Sequence, residues 1–470
     1  MEKDNAPPEV GRDRAAAIGR GGGGVAREGS LDAPFRHPIN WRDPAFYDLA
    51  SVEAEMERVF DICHGCRRCF NLCDSFPRLF DLVDGGPTGE IDGVAKADYG
   101  KVVEACTLCD MCFMTKCPYV PPHEWNVDFP HLMLRHRAAT RKAGGGDFVR
   151  EQLGRTDRNG KLARPVAGIA NWAGSRTNKP VRAAMEKVAG IDRDAVLPRY
   201  HRHTGGELLE TPPSPNPAGP AHGRKAAIYT TCFANYNTPS TAVAAALVLA
   251  HQGVEVRAAY PQCCGMPQFE AGDLADVARG AEGVAAELLP LVDDGHDIIA
   301  LTASCALMMK FEWPLILPEN HAVRRLAAAT RDISEYMVEL ARDYGVAAGL
   351  SPLPMGVTVH HACHARAQNM GARSLQMLRL IPDTKVDLVE RCSGHGGTFG
   401  VMKDTHDVAV KVGRAAARQV TQKHNAALCS DCPLACAHLG QLVSAEIEGV
   451  RQAHPIELLA QAYGLMLPKD

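Results

Sequence analysis

The sequence has neither a long apolar run nor an excess of charge of one sign. Its 470 residues include 51 lysines and arginines against 55 acidic residues, a formal net charge of −4, so no overall positive field favours nucleic acid. The longest apolar stretches, around residues 242–250 and 298–309, fall short of the roughly 18–20 residues that a membrane-spanning helix needs. No apolar core of a secretory signal occurs within residues 1–30. These absences predict a cytoplasmic protein, and peripheral attachment to the inner face of a membrane stays open.

Cysteine is abundant, with 17 residues that stand in clusters rather than spread along the chain. The odd number and the clustering argue against the disulfide framework of a secreted protein. They favour metal ligation in a reducing compartment.

Composition and periodicity divide the chain into several parts, because 470 residues with 46% apolar content suit two or three folded domains. A helical pattern at residues 45–62 precedes the first cysteines, and a Pro/Gly/Ser-rich linker at 204–222 is the clearest boundary. The parts expected are a disordered tail at residues 1–40, a helical cysteine-rich domain at 41–135, a basic helical connector with the linker at 136–222, and two repeats at 223–350 and 351–465.

The predicted fold class is α+β multidomain, with a helical domain followed by duplicated α/β domains that contain parallel sheets. The basis is an alternation of short β-branched runs with helical segments, which occurs twice. The strands expected are residues 227–231, 254–260, 298–302, 357–361, 386–389 and 426–429.

Two evenly stepped cysteine runs occupy the helical domain. They read Cys63-x2-Cys66-x2-Cys69-x3-Cys73 and Cys106-x2-Cys109-x2-Cys112-x4-Cys117-Pro118. This is the spacing of bacterial two-cluster ferredoxins, with one extra residue in the second run. Three cysteines at this spacing enclose three corners of a [4Fe–4S] cube, and the fourth thiolate of each run reaches the other cluster. We therefore predict two [4Fe–4S] clusters, one on Cys63, Cys66, Cys69 and Cys117, and the other on Cys106, Cys109, Cys112 and Cys73.

A pair of zinc sites built from CxxC pairs is the alternative for this domain. Zinc takes four ligands, whereas a run of three evenly spaced cysteines suits a cuboidal cluster better. The sequence departs from the ferredoxin pattern at Asp74, which follows Cys73 in place of proline.

Each C-terminal repeat places cysteines after three successive strands. Because ligands gather at the carboxyl ends of parallel strands, we expect these thiols to converge at the rims of the two sheets and to bind metal. They are Cys232, Cys263, Cys264 and Cys305 in the first repeat, and Cys363, Cys392, Cys429 and Cys432 in the second.

The pattern C-x30-CCG-x39-C followed by C-x28-CSG-x34-C-x2-C resembles the duplicated cysteine-rich CCG domain. That domain occurs in the heterodisulfide reductase B subunit, in the C subunit of anaerobic glycerol-3-phosphate dehydrogenase and in the glycolate oxidase iron–sulfur subunit. The stretch from Cys106 to the sequence CPYVPPHEW, and the tail HPIELLAQA that begins at His454, are most similar to the second of these groups, the dehydrogenase C subunits. The resemblance covers about residues 45–465.

The resemblance implies a further centre in the repeats, although the motif is incomplete. A full repeat supplies five cysteines as C, CC and CxxC and holds a non-cubane [4Fe–4S] cluster. Here Thr302 takes the first CxxC position of repeat one, and Ser393 takes the second CC position of repeat two. The remaining thiolates leave open a further [4Fe–4S] cluster, Zn²⁺, or thiols without metal.

Histidines and basic residues raise two further questions. The histidines flanking the second-repeat cysteines either carry protons or ligate a centre, or they orient thiolates and carbonyls by hydrogen bonding, which we favour. The histidines concerned are His360, His361, His364 and His395.

Residues 131–203 carry 16 lysines and arginines against 6 acidic residues. This excess of positive charge indicates docking on anionic lipid or on an acidic partner, or simply a solvated face.

The resemblance implies an iron–sulfur electron-transfer subunit of an oxidoreductase. Electrons would come from a separate flavoprotein dehydrogenase subunit and would pass through two [4Fe–4S] clusters to the CCG centres, and then to quinone or another acceptor. The chain shows no nucleotide-binding fingerprint, because the glycine run at residues 21–24 follows no strand, and this agrees with an external flavin. The alternatives are a catalytic reductase of a disulfide or peroxide-linked substrate, and a zinc-stabilised redox sensor. No nucleic-acid partner is expected.

Overall fold

A computed structural model describes residues 32–444 and 449–467 of the chain. The expected disordered tail falls mostly on residues 1–31, which lie outside the described residues. The described part consists of short helices in its N-terminal half and two parallel sheets with their connecting helices in its C-terminal half.

The first helix, α1 at Leu49–Cys66, carries the chain directly into the first cysteine run. Its start is capped by Asp48, whose side chain accepts a hydrogen bond from the Ser51 amide at 3.1 Å. Its buried residues recur at helical spacing, as the sequence pattern predicted. These residues are Val52, Met56, Val59 and Phe60.

The remaining helices of the cysteine-rich domain and the connector are short. In the first domain they are α2 Ser75–Asp84, α3 Tyr99–Ala105, α4 Met111–Thr115 and α5 Phe129–Lys142. In the connector they are α6 Phe148–Gly154, α7 Thr156–Ala163, α8 Ala167–Gly174, α9 Lys179–Ala189 and α10 Gly205–Leu208. Short 3-10 turns occur at Pro44–Tyr47, Ile91–Gly93, Lys96–Asp98 and Arg164–Val166.

Two parallel four-stranded sheets form the C-terminal half, which confirms the α+β multidomain prediction. The first has the order β2-β1-β3-β4 and the second the order β6-β5-β7-β8, so the topology repeats. The strands are β1 Lys225–Tyr229, β2 Glu255–Ala259, β3 His296–Ala300, β4 Thr330–Asp332, β5 Val357–His360, β6 Val386–Val389, β7 Ala427–Ser430 and β8 Arg451–Ala453.

Helices connect the strands in both repeats. The first repeat contains α11 Thr231–Tyr236, α12 Pro239–His251, α13 Met266–Glu270, α14 Leu274–Asp293, α15 Ala303–Leu307, a π-helix at Met308–Glu312, α16 Trp313–Ile316, α17 His321–Ala329 and α18 Ile333–Tyr344. The second contains α19 Cys363–Ala367, α20 Arg373–Leu378, a 3-10 turn at Gly397–Gly400, α21 His406–Gln422, α22 Pro433–Val443 and α23 Pro455–Ala462.

The fourth strand of each sheet, β4 or β8, was not expected from the sequence. Each is only three residues long and lies at the sheet edge, so it carries no alternating apolar pattern. Each leads into a helix closed by a capping box, from Asp332 to Glu335 and from His454 to Glu457. The capping boxes were therefore the available sequence signal for these two segments.

Residues 35–40 form an ordered arm, so the expectation of a disordered tail up to residue 40 is wrong for this part. The Ile39 amide donates to the Leu315 carbonyl at 2.8 Å, and the Phe35 amide donates to the Pro121 carbonyl at 3.3 Å. The guanidinium of Arg36 is buried among carboxylates. The arm therefore joins the cysteine-rich domain to the first repeat.

The connector helices present an exposed apolar ridge, defined here as Leu162, Val166, Ile169 and Trp172, with exposed fractions from 47% to 66%. Their spacing places them on one side of the segment from α7 to α8. Many arginines of the basic segment are engaged internally, as Arg141 is with Asp273 and Arg155 with Asp276. Of the residues that the structure describes, none forms a helix that is both long and apolar enough to cross a bilayer.

Candidate functional site

Four cysteines of the helical domain line one small cavity, called here the first cage. They are Cys63, Cys66, Cys69 and Cys117. Apolar and aromatic side chains, among them Ile62, Phe76 and Tyr119, line most of the rest of its wall, together with Arg68 and Lys116. Partial burial, followed by the charges of Cys117 and Cys69, raises the pKa of the Cys63 thiol well above its usual value. The structure thus brings together the four residues expected to share the first cluster.

The other four cysteines of this domain form a second group, Cys73, Cys106, Cys109 and Cys112. Burial raises the pKa of Cys112, and the charges of Cys109, Cys106 and Cys73 add to the effect. Cys69 of the first cage is also close enough to act on Cys112. The two groups are therefore adjacent, and the fourth cysteine of each run lies with the other run. Their role as cluster ligands stays a prediction.

The loop that carries Cys109 is sharply folded and held from several sides. Leu108 and Asp110 on either side of it have positive φ angles of 47° and 64°, a conformation that costs L-residues energy and persists only where neighbours enforce it. Arg137 donates to the Cys106 carbonyl, and the Leu108 carbonyl hydrogen bonds His364 of the second repeat. These contacts fix Cys109 at the boundary between the helical domain and the repeats.

The carboxyl ends of both sheets open onto one shared cavity of about 180 Å³, called here the thiol cavity. The sequence predicted convergence at the rims of two sheets, and the structure places both rims around a single space. Thiols from both repeats and from the second cysteine group line it. They are Cys73, Cys109, Cys232, Cys263, Cys264, Cys305, Cys363, Cys392 and Cys432.

The first-repeat thiols share hydrogen bonds. The Sγ atoms of Cys263 and Cys232 are 3.9 Å apart. Hydrogen bonds from Cys232 and Cys264 hold the pKa of Cys263 well below its usual range, while the donors' own pKa values are raised. Asp157 accepts a hydrogen bond from the Cys263 amide at 2.7 Å. This set therefore has one thiol that ionises readily and a carboxylate that fixes its backbone.

The second-repeat thiols meet the helical domain directly. Cys363 hydrogen bonds Cys392 and also Cys109. The bond from Cys363 lowers the pKa of Cys392 to about 7, and the same interaction lowers the pKa of Cys109. Cys432 completes the group from the neighbouring strand end and lies near Cys305 of the first repeat. The contact between Cys109 and Cys363 links the ferredoxin-type motif to the repeats.

A glycine follows the CC position of the first repeat and the equivalent CS position of the second. At both places the backbone conformation favours a residue without a side chain. Gly265 and Gly394 have φ angles of 84° and 79°, in the left-handed region that favours glycine. A Cβ at Gly394 would lie 2.0 Å from the Ala409 carbonyl oxygen. The turn that aims Cys263 and Cys392 into the thiol cavity is thus the same in both repeats.

Cys429 does not reach the thiol cavity, so its predicted place in the site is wrong. It lies inside β7, paired with Val359, and is fully buried in a core cluster with Ile456 and Leu459. Because successive side chains of a strand alternate between the two faces of the sheet, the Cys429 side chain packs on a sheet face in the core and does not lie at the strand end. Cys436 is likewise buried, with its thiol donating to the Leu428 carbonyl at 3.6 Å.

The register also shows which CxxC position each repeat has kept. Ala300 ends β3 beside Tyr229, and Ser430 ends β7 beside His360. Thr302 and Cys432 each follow two residues later and are therefore equivalent. Repeat one keeps the second cysteine of the motif, Cys305, and repeat two keeps the first. The distance of each cysteine from the end of its predicted strand would have identified this equivalence, whereas the CxxC pattern alone did not.

The histidines near the second-repeat cysteines act as hydrogen-bonding groups in the structure. His360 contacts Ser430 Oγ at 3.1 Å and the Arg391 carbonyl at 3.0 Å. His361 contacts Glu390 at 3.0 Å, and His364 contacts Ser304 Oγ at 2.7 Å. His395 lines the thiol cavity and accepts a hydrogen bond from the Gly397 amide at 3.1 Å. These contacts agree with the interpretation favoured from the sequence.

The donor chemistry of both cysteine groups fits iron–sulfur ligation. Each group offers four thiols in apolar surroundings, which is the ligand set of a [4Fe–4S] cluster. Within residues 32–444 and 449–467, no three histidine, cysteine or acidic side chains are grouped as ligands of one metal ion. A four-iron cluster spreads its thiolates over the corners of a cube and does not require such a grouping.

Comparison with known families agrees with this geometry. The profile of the cysteine-rich CCG domain matches residues 226–310 and again residues 357–439. The chain therefore contains two CCG domains in tandem. The two matched segments begin at the first strand of each sheet, β1 and β5, so the family signature and the repeated topology describe the same duplication.

Three relatives are similar to this chain over 47% to 66% of its length. The C subunit of anaerobic glycerol-3-phosphate dehydrogenase of Escherichia coli K12 is 28% identical over 316 residues, 66% of this chain and 76% of the relative. An uncharacterized iron–sulfur protein of Methanocaldococcus jannaschii is 27% identical over 228 residues, 47% of this chain and 42% of the relative. The D subunit of the dihydromethanophenazine:CoB–CoM heterodisulfide reductase of Methanosarcina barkeri is 26% identical over 248 residues, 50% and 58% of the two chains.

Sequence reasoning missed several polar residues around the thiols. Arg36 makes ion pairs with Asp110 next to Cys109, and Asp157 supports Cys263. Glu270 lines the thiol cavity, and burial raises its pKa to about 7. None of these belongs to a motif, because each acts on a cysteine that is distant in sequence.

Proposed function

We propose that this chain is the iron–sulfur electron-transfer subunit of an oxidoreductase. The names of its relatives, an iron–sulfur protein and subunits of a dehydrogenase and a reductase, support iron–sulfur chemistry in an oxidoreductase assembly. The observation that carries the proposal is the contact of Cys109 with Cys363. It joins the ferredoxin-type cysteines to the CCG thiols, so a continuous route for electrons runs through this chain.

The route proposed begins at the first cage. Phe70 and Trp125 near this cage are 59% and 41% exposed, and they provide a face for the flavoprotein dehydrogenase subunit. From there Cys69 adjoins Cys112, Cys109 adjoins Cys363, and the thiol cavity follows. Each [4Fe–4S] cluster held by these thiols would store and release one electron. The positions of the cysteines fix the order from the first cage to the second cysteine group and then to the thiol cavity. Burial of these sites limits the access of water.

Iron and acid-labile sulfide in the anaerobically purified full chain test the proposal. Two four-cysteine groups predict about eight iron and eight sulfide per chain, and more if the repeats hold a further centre. Electron paramagnetic resonance before and after reduction should show reduced-cluster signals from both groups. A colourless protein with zinc and no sulfide would overturn the assignment.

The connector provides a second element of the proposal, attachment to the surface of an anionic membrane. The apolar ridge of Leu162, Val166, Ile169 and Trp172 lies on short helices whose exposed flanks are basic. Aliphatic and tryptophan side chains beside cations are the composition of a segment that lies in the membrane interface. The basic residues are Lys161, Arg176, Lys179 and Lys187, all exposed.

Changing the ridge should release the protein from vesicles. Ile169→Asp with Trp172→Asp should lower the fraction bound to phosphatidylglycerol-containing vesicles at least about tenfold, because two apolar anchors are lost. Phe311→Asp with Val346→Asp is the matched control, since both side chains are exposed elsewhere, at 41% and 38%. Equal co-sedimentation of the ridge variant and the parent, with unchanged circular dichroism, would rule out this surface.

A further inference from the structure

Five charged or titratable side chains form one network, called here the charge network, where the arm, the helical domain and the first repeat meet. They are Arg36, Asp110, Asp128, His131 and Glu312. The Arg36 guanidinium donates to all three carboxylates, at distances from 2.7 to 3.3 Å. The five side chains are only 2% to 20% exposed, so water and salt screen their charges weakly.

The imidazole of His131 faces two of these carboxylates at once. Its Nε2 is 3.1 Å from Oε2 of Glu312, and its Nδ1 is 3.5 Å from Oδ2 of Asp128. A neutral imidazole carries a proton on only one nitrogen, whereas the protonated ring has a donor on both. Only the protonated ring can therefore turn an N–H toward each carboxylate. Burial and the Arg36 charge lower the pKa of this ring, but the two carboxylates outweigh them and raise it above its usual value.

The other groups packed around this ring do not exchange a proton near neutral pH. His364, on α19 of the second repeat, is within range of Asp110 and Glu312, but burial outweighs their charges and lowers its pKa. This second imidazole is therefore neutral. Phe269 of α13 packs edge-on against the His131 ring, with the ring centroids 6.2 Å apart, and contributes no charge. His131 is thus the member of the charge network that titrates near neutrality.

The charge network lies beside both predicted cluster sites. Asp110 directly follows Cys109, and its charge acts on that thiol. The charge of Asp128 acts on Cys117 of the first cage. Arg36 joins these two carboxylates through its hydrogen bonds. A change of one charge in the network therefore alters the energy of an electron at either site, and an added electron alters the energy of a proton in the network.

We propose that His131 is a proton-binding site coupled to the redox state of the two predicted [4Fe–4S] clusters. The inference rests on the proposed electron-transfer function and adds a proton to it. With the imidazole protonated, three carboxylates face two cations, a formal charge of −1, and with the imidazole neutral three carboxylates face one cation, a charge of −2. An electron at a neighbouring cluster adds a further negative charge, so His131 binds its proton more tightly.

The coupled step balances with components already named. One electron comes from the flavoprotein dehydrogenase, which is oxidised, and passes to the clusters. One proton comes from water, so that an O–H bond of hydronium breaks and an N–H bond forms on the His131 ring. Water can reach this ring, because the side chains of His131 and Asp128 remain 13% and 20% exposed. When the electron moves on to the repeats, the proton returns to water.

Reduction of the clusters should become less favourable as the pH rises above the pKa of His131 in the oxidised protein. At lower pH the ring is protonated in both redox states, and at sufficiently high pH it is neutral in both, so the reduction constant levels off at either end. Between these limits the constant falls by at most about tenfold per pH unit. The total fall should be about 3- to 30-fold, the effect of one charge on another over roughly 8–20 Å of protein.

Redox titrations of the anaerobic full chain between about pH 6 and pH 9, followed by electron paramagnetic resonance, test the site. The parent should show the fall in the reduction constant of at least one cluster. His131→Gln keeps a donor for Glu312 but cannot take up a proton, so its constant should stay near the parent's high-pH value throughout. Glu312→Gln removes a charge that holds the proton, so the fall should begin at lower pH. His136→Gln on α5 is the matched control, because burial lowers the pKa of His136, and it should keep the parent profile.

Iron and sulfide measured on the same samples separate this inference from the function on which it rests. A parent that holds its clusters but has the same reduction constant at every pH overturns the proton site and leaves electron transfer standing. A His131→Gln profile equal to that of the parent does the same. If His131→Gln does not fold, an unshifted profile in Glu312→Gln overturns the site. A chain without iron overturns the electron-transfer function and this inference with it.

Discussion

Cys109→Ala is expected to remove about half of the ferredoxin-type iron, about four atoms per chain, and to leave the first cage loaded. The reason is that Cys109 belongs to the second group and also contacts Cys363, so its loss affects one cluster and the junction with the repeats together. Electrons given to the first cage should then no longer reach the repeats. Iron and sulfide analysis with electron paramagnetic resonance of the reduced protein would show one reduced-cluster signal in place of two.

Cys436→Ala is the matched control for this change. Cys436 is a buried cysteine of the second repeat that lines neither the cage nor the thiol cavity, and its thiol only donates to backbone carbonyls. Its replacement should keep the full iron content. If Cys109→Ala retained the iron and both signals of the parent, Cys109 would not be a ligand and the proposed junction would fail.

Local sequence spacing led to the expectation of the two cysteine groups, because loop geometry over a few residues decides which thiols of one run can meet. Their role as cluster ligands stays a prediction. The runs from Cys63 to Cys73 and from Cys106 to Cys117 each contain their own turns. The same reasoning predicted six strands, since buried parallel strands leave continuous apolar runs. It also predicted the duplication, because a repeated topology repeats its pattern.

Positions that depend on strand ends or on distant contacts were not predicted. Cys429 matched a CxxC spelling, but only the register of β7 shows that it points into the core. Cys109 and Cys363 are separated by more than half of the sequence. No residue near either cysteine in the sequence indicates that the two are in contact. The meeting of both sheet rims at one cavity depends on how the repeats pack, which composition does not encode.

Arg36 is the most extreme case of such a distant contact, because it lay in the predicted tail. Its guanidinium pairs with Asp110 at 2.7 Å, Asp128 at 2.9 Å and Glu312 at 3.1 Å, and it stacks on the Phe113 ring at 4.4 Å. These partners come from the cysteine-rich domain and from the first repeat. One buried cation therefore holds the arm, the Cys109 loop and the repeat together.

Arg36→Met is expected to lower the free energy of unfolding by about 3–5 kcal/mol at neutral pH, because it leaves buried carboxylates without their main counter-charge. Arg42→Met, which breaks an exposed pair with Glu282 at 3.8 Å, should cost about 0–1 kcal/mol. Urea unfolding of the anaerobic protein followed by circular dichroism measures both. A loss in Arg36→Met no larger than that in Arg42→Met would contradict the role assigned to the buried cation.

The pH dependence of this loss gives a further check on its cause. Burial opposes ionisation of Asp128 and Glu312, but the charges of His131 and Arg36 outweigh burial and lower both pKa values. A lowered carboxyl pKa stabilises the fold above the unfolded value of about 4 and ceases to do so as the pH falls through the folded value. The difference between parent and Arg36→Met should therefore be largest near neutral pH and should narrow below about pH 4. A packing defect alone would leave the difference nearly constant across this range.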